Sequence, residues 1–194
     1  MAEFTDRQNT PDRALHILTP KELRQNRFGL LLFISSQFIP YFMLINDRFV
    51  LADTYVSSRL DPLLGGLLPT LFLLLGNIPS WRAVAAIGRG ELSKMIHQLQ
   101  LAGILGVVSL ITMIWPMVVH RYDAISPFGE IHLVSLGLGA FFTLVSLLVL
   151  GGVLSRAMKG LVRQEHYFGV ESSAWVWSFN TIAWVALYIV VYFI

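Results

Sequence analysis

Long apolar runs separated by short polar stretches dominate the chain. Five runs approach the ~20 residues that a helix needs to cross a bilayer core of roughly 30 Å. They fall at about 28–45, 63–79, 99–119, 131–154 and 174–194. The second is the least regular, with Gly65-Gly66 and Pro69 near its start and Pro79 at its end. A spanning helix satisfies its own backbone polar groups, so each run predicts one membrane helix. The expected fold is all-α, an integral membrane bundle of five transmembrane helices (28–194) behind a polar N-terminal tail of residues 1–27. Within that tail, Thr19-Pro20-Lys21-Glu22 has the order of a helix start: a hydroxyl cap, proline at the first helical position and Glu three residues after the cap.

The charges between the runs give the bundle a direction. Arg7, Arg13, Lys21, Arg24 and Arg27 lie in the tail; Arg82, Arg89 and Lys94 follow the second run; Arg156, Lys159 and Arg163 follow the fourth. These eleven of the 14 basic residues share one side, and Arg48, Arg59 and Arg121 occupy the other. Basic loops stay cytoplasmic, which predicts an inner N-terminus and an outer C-terminus. The tail has no apolar core of the kind a secretory signal carries. Composition agrees with lipid as the main solvent: of 194 residues, 55% are hydrophobic and 13% charged, and the net charge of +2 makes no case for nucleic acid. With no cysteine, thiol catalysis, iron–sulfur clusters and Cys-ligated zinc are excluded.

Candidate chemistry at depth is sparse. Ionisable residues inside a membrane usually mark function, yet Asp, Glu, Lys and Arg are missing from the middle of every run. That argues against an autonomous ion pathway. The polar residues expected to be buried are neutral: Ser35, Ser36 and Gln37, then Asn77, then Asn180 and Thr181. They predict interhelical hydrogen bonds, whereas Thr112, Ser135, Thr143 and Ser146 are expected to bond carbonyls of their own helices. Of the five histidines, only His120 and His132, flanking the third connection, are placed to meet as ligands of a haem edge or metal. At headgroup depth, both are expected to meet water instead. No metal site is expected. Gly137, Gly139, Gly151 and Gly152, with Gly103 and Gly106, predict faces where another helix approaches closely. Trp81, Trp115, Tyr122, Trp175 and Trp177 are placed as interfacial anchors, while Trp184, Tyr188 and Tyr192 form a packing stripe spaced four apart.

In the last run, Trp177-Ser178-Phe179-Asn180-Thr181-Ile182-Ala183-Trp184-Val185-Ala186-Leu187-Tyr188 resembles the final helix of subunit III of haem–copper oxidases, whose pattern is Trp-His-Phe-x-Asp-x-x-Trp-x-x-Leu-Tyr. Trp177, Phe179, Trp184, Leu187 and Tyr188 match in register. Five helices with this orientation resemble the short subunit III of bacterial quinol oxidases and short cytochrome oxidases. The stretch Arg82-Ala83-Val84-Ala85-Ala86 and the turn Arg156-Ala157-Met158-Lys159-Gly160 are similar to further parts of that family. Ser178 and Thr181 replace the family's His and Asp, and Leu138-Gly139-Ala140-Phe141 keeps only the glycine of its His-Gly-x-His. The resemblance implies a non-catalytic subunit of a respiratory terminal oxidase in a bacterial plasma membrane. It would pack against the core subunit, other oxidase subunits and membrane lipids, hold no cofactor itself, and leave haem and copper to the core subunit. Two other functions share this outline: an accessory subunit of a nitric oxide reductase, and a small membrane transporter or channel.

Overall fold

A computed structural model describes residues 19–52, 66–119, 127–164 and 167–194. The described residues form helices and no strands: α1 (Pro20–Ser36), α2 (Phe38–Ala52), α3 (Leu68–Gly88), α4 (Leu92–Val118), α5 (Pro127–Met158) and α6 (Phe168–Phe193). α1 and α2 together make one span, so five units are long and apolar enough to cross a membrane. The expected tail of residues 1–27 falls largely outside the described residues. Where it is described, α1 already begins at Pro20 and runs into the first span. Its start is the capping box read from the sequence: the Glu22 amide donates to Thr19 Oγ1 at 3.3 Å, and the Thr19 amide donates to Glu22 Oε2 at 2.7 Å.

The helices outrun the apolar runs. The unit over Pro20–Leu51 and α5 each have 32 residues, about 48 Å at a rise of ~1.5 Å per residue. That exceeds the hydrocarbon core, so helix continues where the apolar composition stops. α3 also differs from the expected second span: it passes through Pro79 and ends at Gly88. Proline inside a membrane helix is tolerated where neighbouring groups re-satisfy the freed carbonyl, and Pro79 is buried against the bundle. Pro40 acts differently. It has no N–H for the Ser36 carbonyl and crowds it, and α1 ends at Ser36, four residues earlier.

Two sharp turns close one end of the bundle. Gly90 and Gly160 have φ of 76° and 70°, a region open to glycine and strained for most other residues. After α3, the Glu91 amide donates to Ala86 O and the Gly90 amide to Ile87 O. After α5, the Leu161 and Gly160 amides bond Arg156 O and Ala157 O in the same pattern. Both are Schellman closures, which satisfy the last carbonyls of a helix. Gln164 ties the two turns together by donating to Gly88 O at 2.9 Å.

α3 and α4 form the tightest pair, α4 continues onto α5, and α6 packs on both α3 and α5 and also touches α1 and α2. α6 is therefore the most enclosed helix. Its inward face carries Trp177 and Trp184, two turns apart, and both are almost completely buried. Trp177 is thus a core residue and not the interfacial anchor expected from its place in the sequence. Its ring fills the space beside Gly76 of α3 and Gly106 of α4, where a Cβ on Gly76 would come within 2.7 Å of it. Trp184 lies in the same way on Gly139 of α5, and Tyr188 on Gly66. These glycines receive indole and phenol rings rather than another helix backbone.

Gly139→Leu is expected to destabilise the isolated chain by about 1–3 kcal/mol, the usual scale of overpacking. Gly152→Leu is expected to leave it unchanged, because nothing lies within 4 Å of a Cβ there. Unfolding midpoints in detergent check both.

Candidate functional site

Polar side chains that face inward are drawn together along α6. Asn180 Nδ2 donates to Thr143 Oγ1 of α5 at 3.1 Å, and that hydroxyl donates to Met113 Sδ of α4 at 3.7 Å. Thr143 therefore joins three helices rather than bonding its own helix as expected. Thr181 Oγ1 donates to Trp177 O at 2.9 Å. Trp177 Nε1 donates to Leu73 O at 3.3 Å, and Trp184 Nε1 donates to Thr70 Oγ1 at 2.9 Å. Ser178 Oγ donates to Asn77 Oδ1 and accepts from Trp81 Nε1, both at 2.9 Å. Thr112, Ser135 and Ser146 bond carbonyls of their own helices, as their spacing predicts. With no water in hydrocarbon to satisfy polar atoms, this network fixes the rotation of α6 against α3 and α5.

Aromatic packing completes the α6 face. Phe179 meets Phe38 edge-on with centroids 4.9 Å apart, and Tyr41 and Phe142 at 6.0 Å each. This cluster seats α2 on α5 and α6. Trp81 and Trp175 stack edge-on at 5.8 Å, both partly exposed. Gly137 is half-buried near Met117, a Cβ on Gly103 would meet Leu150 Cδ2 at 3.5 Å, and Gly151 and Gly152 are exposed.

Further positions depart from the sequence reading. His132 does not face water: it is buried on the inner side of α5, and its Nε2 is hydrogen-bonded to the Tyr192 hydroxyl of α6. His120, its expected companion, lies outside the described residues. Ser135, Trp184 and Tyr188 line the space beside His132. Arg48, expected in a connection, lies inside α2 and is completely buried, its Cζ 4.9 Å over the Phe128 ring. A guanidinium against a ring face is a favourable pairing, stronger when desolvated. Ser35 and Ser36 are exposed on the outside of the bundle rather than buried, and Gln37 is half-buried.

Charge gathers toward one end. Arg27 of α1 donates to Glu171 of α6 through Nη2 at 2.8 Å and Nε at 3.2 Å, with Leu30, Leu31 and Trp175 around them. In the tight turn after α3, Glu91 accepts from Lys94 at 3.1 Å and from Arg89 at 3.4 Å. Among the described residues, no three His, Cys, Asp or Glu side chains are grouped to hold a metal ion.

The class follows from these features: a multi-pass helical membrane protein whose inward chemistry is neutral hydrogen bonding and ring packing, with five units able to span. The chain belongs to the cytochrome c oxidase subunit III family, whose model matches residues 19–194. It is 27% identical over 181 residues to "Cytochrome c oxidase subunit 3" of Chondrus crispus. That match takes in 86% of this chain and 65% of the relative, so the chain spans less than two-thirds of the relative's length.

Asn180→Val and Thr143→Val are expected to be non-additive in a double-mutant cycle, with a coupling of about 0.6 kcal/mol, the average for hydrogen bonds between membrane helices. Reversible unfolding in mixed detergent micelles checks the value.

Proposed function

We propose that this chain is a non-catalytic subunit of a respiratory haem–copper terminal oxidase, seated in the membrane beside the core subunit and stabilising it. Haem and copper would belong to that core subunit, which would reduce oxygen to water and move protons. The observation that carries the reading is the family match over residues 19–194. The site chemistry supports it. Ser178 and Thr181 stand where the family pattern has His and Asp, and both are used up in contacts to α3 and within α6. What remains is shape. The outward faces of all five units are lined by large apolar side chains such as Phe42, Ile104, Leu148 and Ile182, a surface suited to lipid and to neighbouring helices. The basic turns around Arg89 and Lys159 support an inner face at that end, and the five-helix form supports the plasma membrane of a bacterium.

Purification in mild detergent through a tag on this chain is expected to bring down a large haem-bearing subunit at constant stoichiometry, with the haem and copper of an oxygen-reducing oxidase. The chain isolated from it is expected to lack a Soret band. A copurifying subunit with the metals of a nitric oxide reductase would move the chain to that complex. A chain that runs alone and transports solute in vesicles would refute the proposal.

A further inference from the structure

At the middle of the first span, polar groups face away from the bundle. Ser36 is the central residue of the unit Pro20–Leu51, about 24 Å along the helix from its start at ~1.5 Å per residue. Headgroups and water lie at the ends of such a span. Ser35 and Ser36 are both exposed, flanked by the exposed Leu32, Phe33, Phe38 and Ile39. The residues exposed at mid-helix elsewhere are apolar: Ile78 in α3, Ile104 in α4, Leu144 in α5 and Ile182 in α6.

The polar groups here are only partly satisfied. Ser36 Oγ donates to Phe33 O at 2.7 Å and accepts from Gln37 Nε2 at 2.9 Å. Among the described residues, the Ser35 hydroxyl and Gln37 Oε1 have no hydrogen-bond partner. The proline four residues on has no N–H for the Ser36 carbonyl, and the helix is interrupted at Gln37. The exposed Ser35 hydroxyl, with Ser36 and the half-buried Gln37 amide beside it, therefore lies at the depth where lipid offers only hydrocarbon. Acyl chains have no donors or acceptors, so lipid leaves such a patch unsatisfied. Another transmembrane helix carrying hydroxyl or amide side chains satisfies it.

We propose that the outward patch at Ser35, Ser36 and Gln37 is the docking face for a transmembrane helix of the oxidase core subunit, one that presents hydrogen-bonding side chains at mid-membrane. The inference rests on the proposed function and adds to it which face of the bundle is covered, and by what chemistry. The α1–α2 unit suits that place, because it lies on the outside of the bundle and buries less of its surface than any other span.

Site-specific photocrosslinking in native membranes tests it. The photoreactive residue p-benzoylphenylalanine replaces Ser35 in one full-length chain and the exposed Leu148 of α5 in another, as reference. Irradiation is expected to join the Ser35 variant to the haem-bearing subunit, identified by mass spectrometry, in roughly tenfold greater yield than the Leu148 variant. A separate double variant, Ser35→Ala with Gln37→Leu, makes the patch apolar. It is expected to keep the chain's own unfolding midpoint and to retain roughly tenfold less core subunit in detergent. Position 35 joined to lipid alone, to a second copy of this chain or to nothing, while the core subunit still copurifies, overturns the docking face and leaves the proposed function standing. So does full retention by the apolar variant. Failure of the unmodified chain to copurify with any haem-bearing subunit overturns both.

Discussion

The bundle is organised by large rings of α6 set against glycines of the helices around it. Trp177 fills the space at Gly76 and Gly106, Trp184 the space at Gly139, and Tyr188 the space at Gly66. In a membrane, burying an apolar ring gains little over leaving it in lipid, so close packing and hydrogen bonding must hold helices together. Flat rings in glycine notches supply the contact area, and each indole N–H has a use: Leu73 O for Trp177 and Thr70 Oγ1 for Trp184. These bonds make the rotation of α6 specific, because turning the helix would separate ring from notch and donor from acceptor together.

The same constraint divides inside from outside. Neutral polar groups serve well inside because the bundle supplies partners in pairs, as in Asn180 with Thr143 and Ser178 with Asn77. The charged groups lie toward the helix ends, where Arg27 meets Glu171 and Glu91 meets Lys94. The buried Arg48 sits near the far end of α2, its guanidinium over a phenyl ring. In this chain of the subunit III family, Ser178 and Thr181 are neutral groups of α6 that bond Asn77 and Leu73 O of α3. Its outer surface is largely apolar along the spans.

Much of this fold is legible in the amino-acid sequence. Five apolar runs correspond to five membrane-crossing units, and Thr19 to Glu22 to the capped start of α1, because both signals are local. The ring stripe of Trp184, Tyr188 and Tyr192 packs inward as its spacing implies. Helix ends are less legible: hydropathy reports where lipid ends, while α3 and α5 continue into polar sequence as far as Gly88 and Met158. The place of Trp177 is hidden because tryptophan is common both at interfaces and in tight helix contacts, and only the positions of Gly76 and Gly106 on other helices distinguish the two. That of His132 is hidden for a similar reason, since its partner Tyr192 lies on a different helix. Ser35 and Ser36 read as buried because they are polar and mid-span. Which way they face depends on the packing of α1 against α6, which periodicity does not reveal.

The fit of Trp177 against Gly76 exposes the ring-and-notch packing to its most direct test. A double-mutant cycle of Gly76→Ala and Trp177→Phe, followed by the unfolding midpoint of the chain in detergent, measures whether ring and notch act as one. The smaller ring removes the Cζ2 atom that an alanine Cβ would strike. The double variant is therefore predicted to be more stable than the sum of the two single losses implies, by about 0.5–3 kcal/mol. Strict additivity of the two substitutions would contradict it.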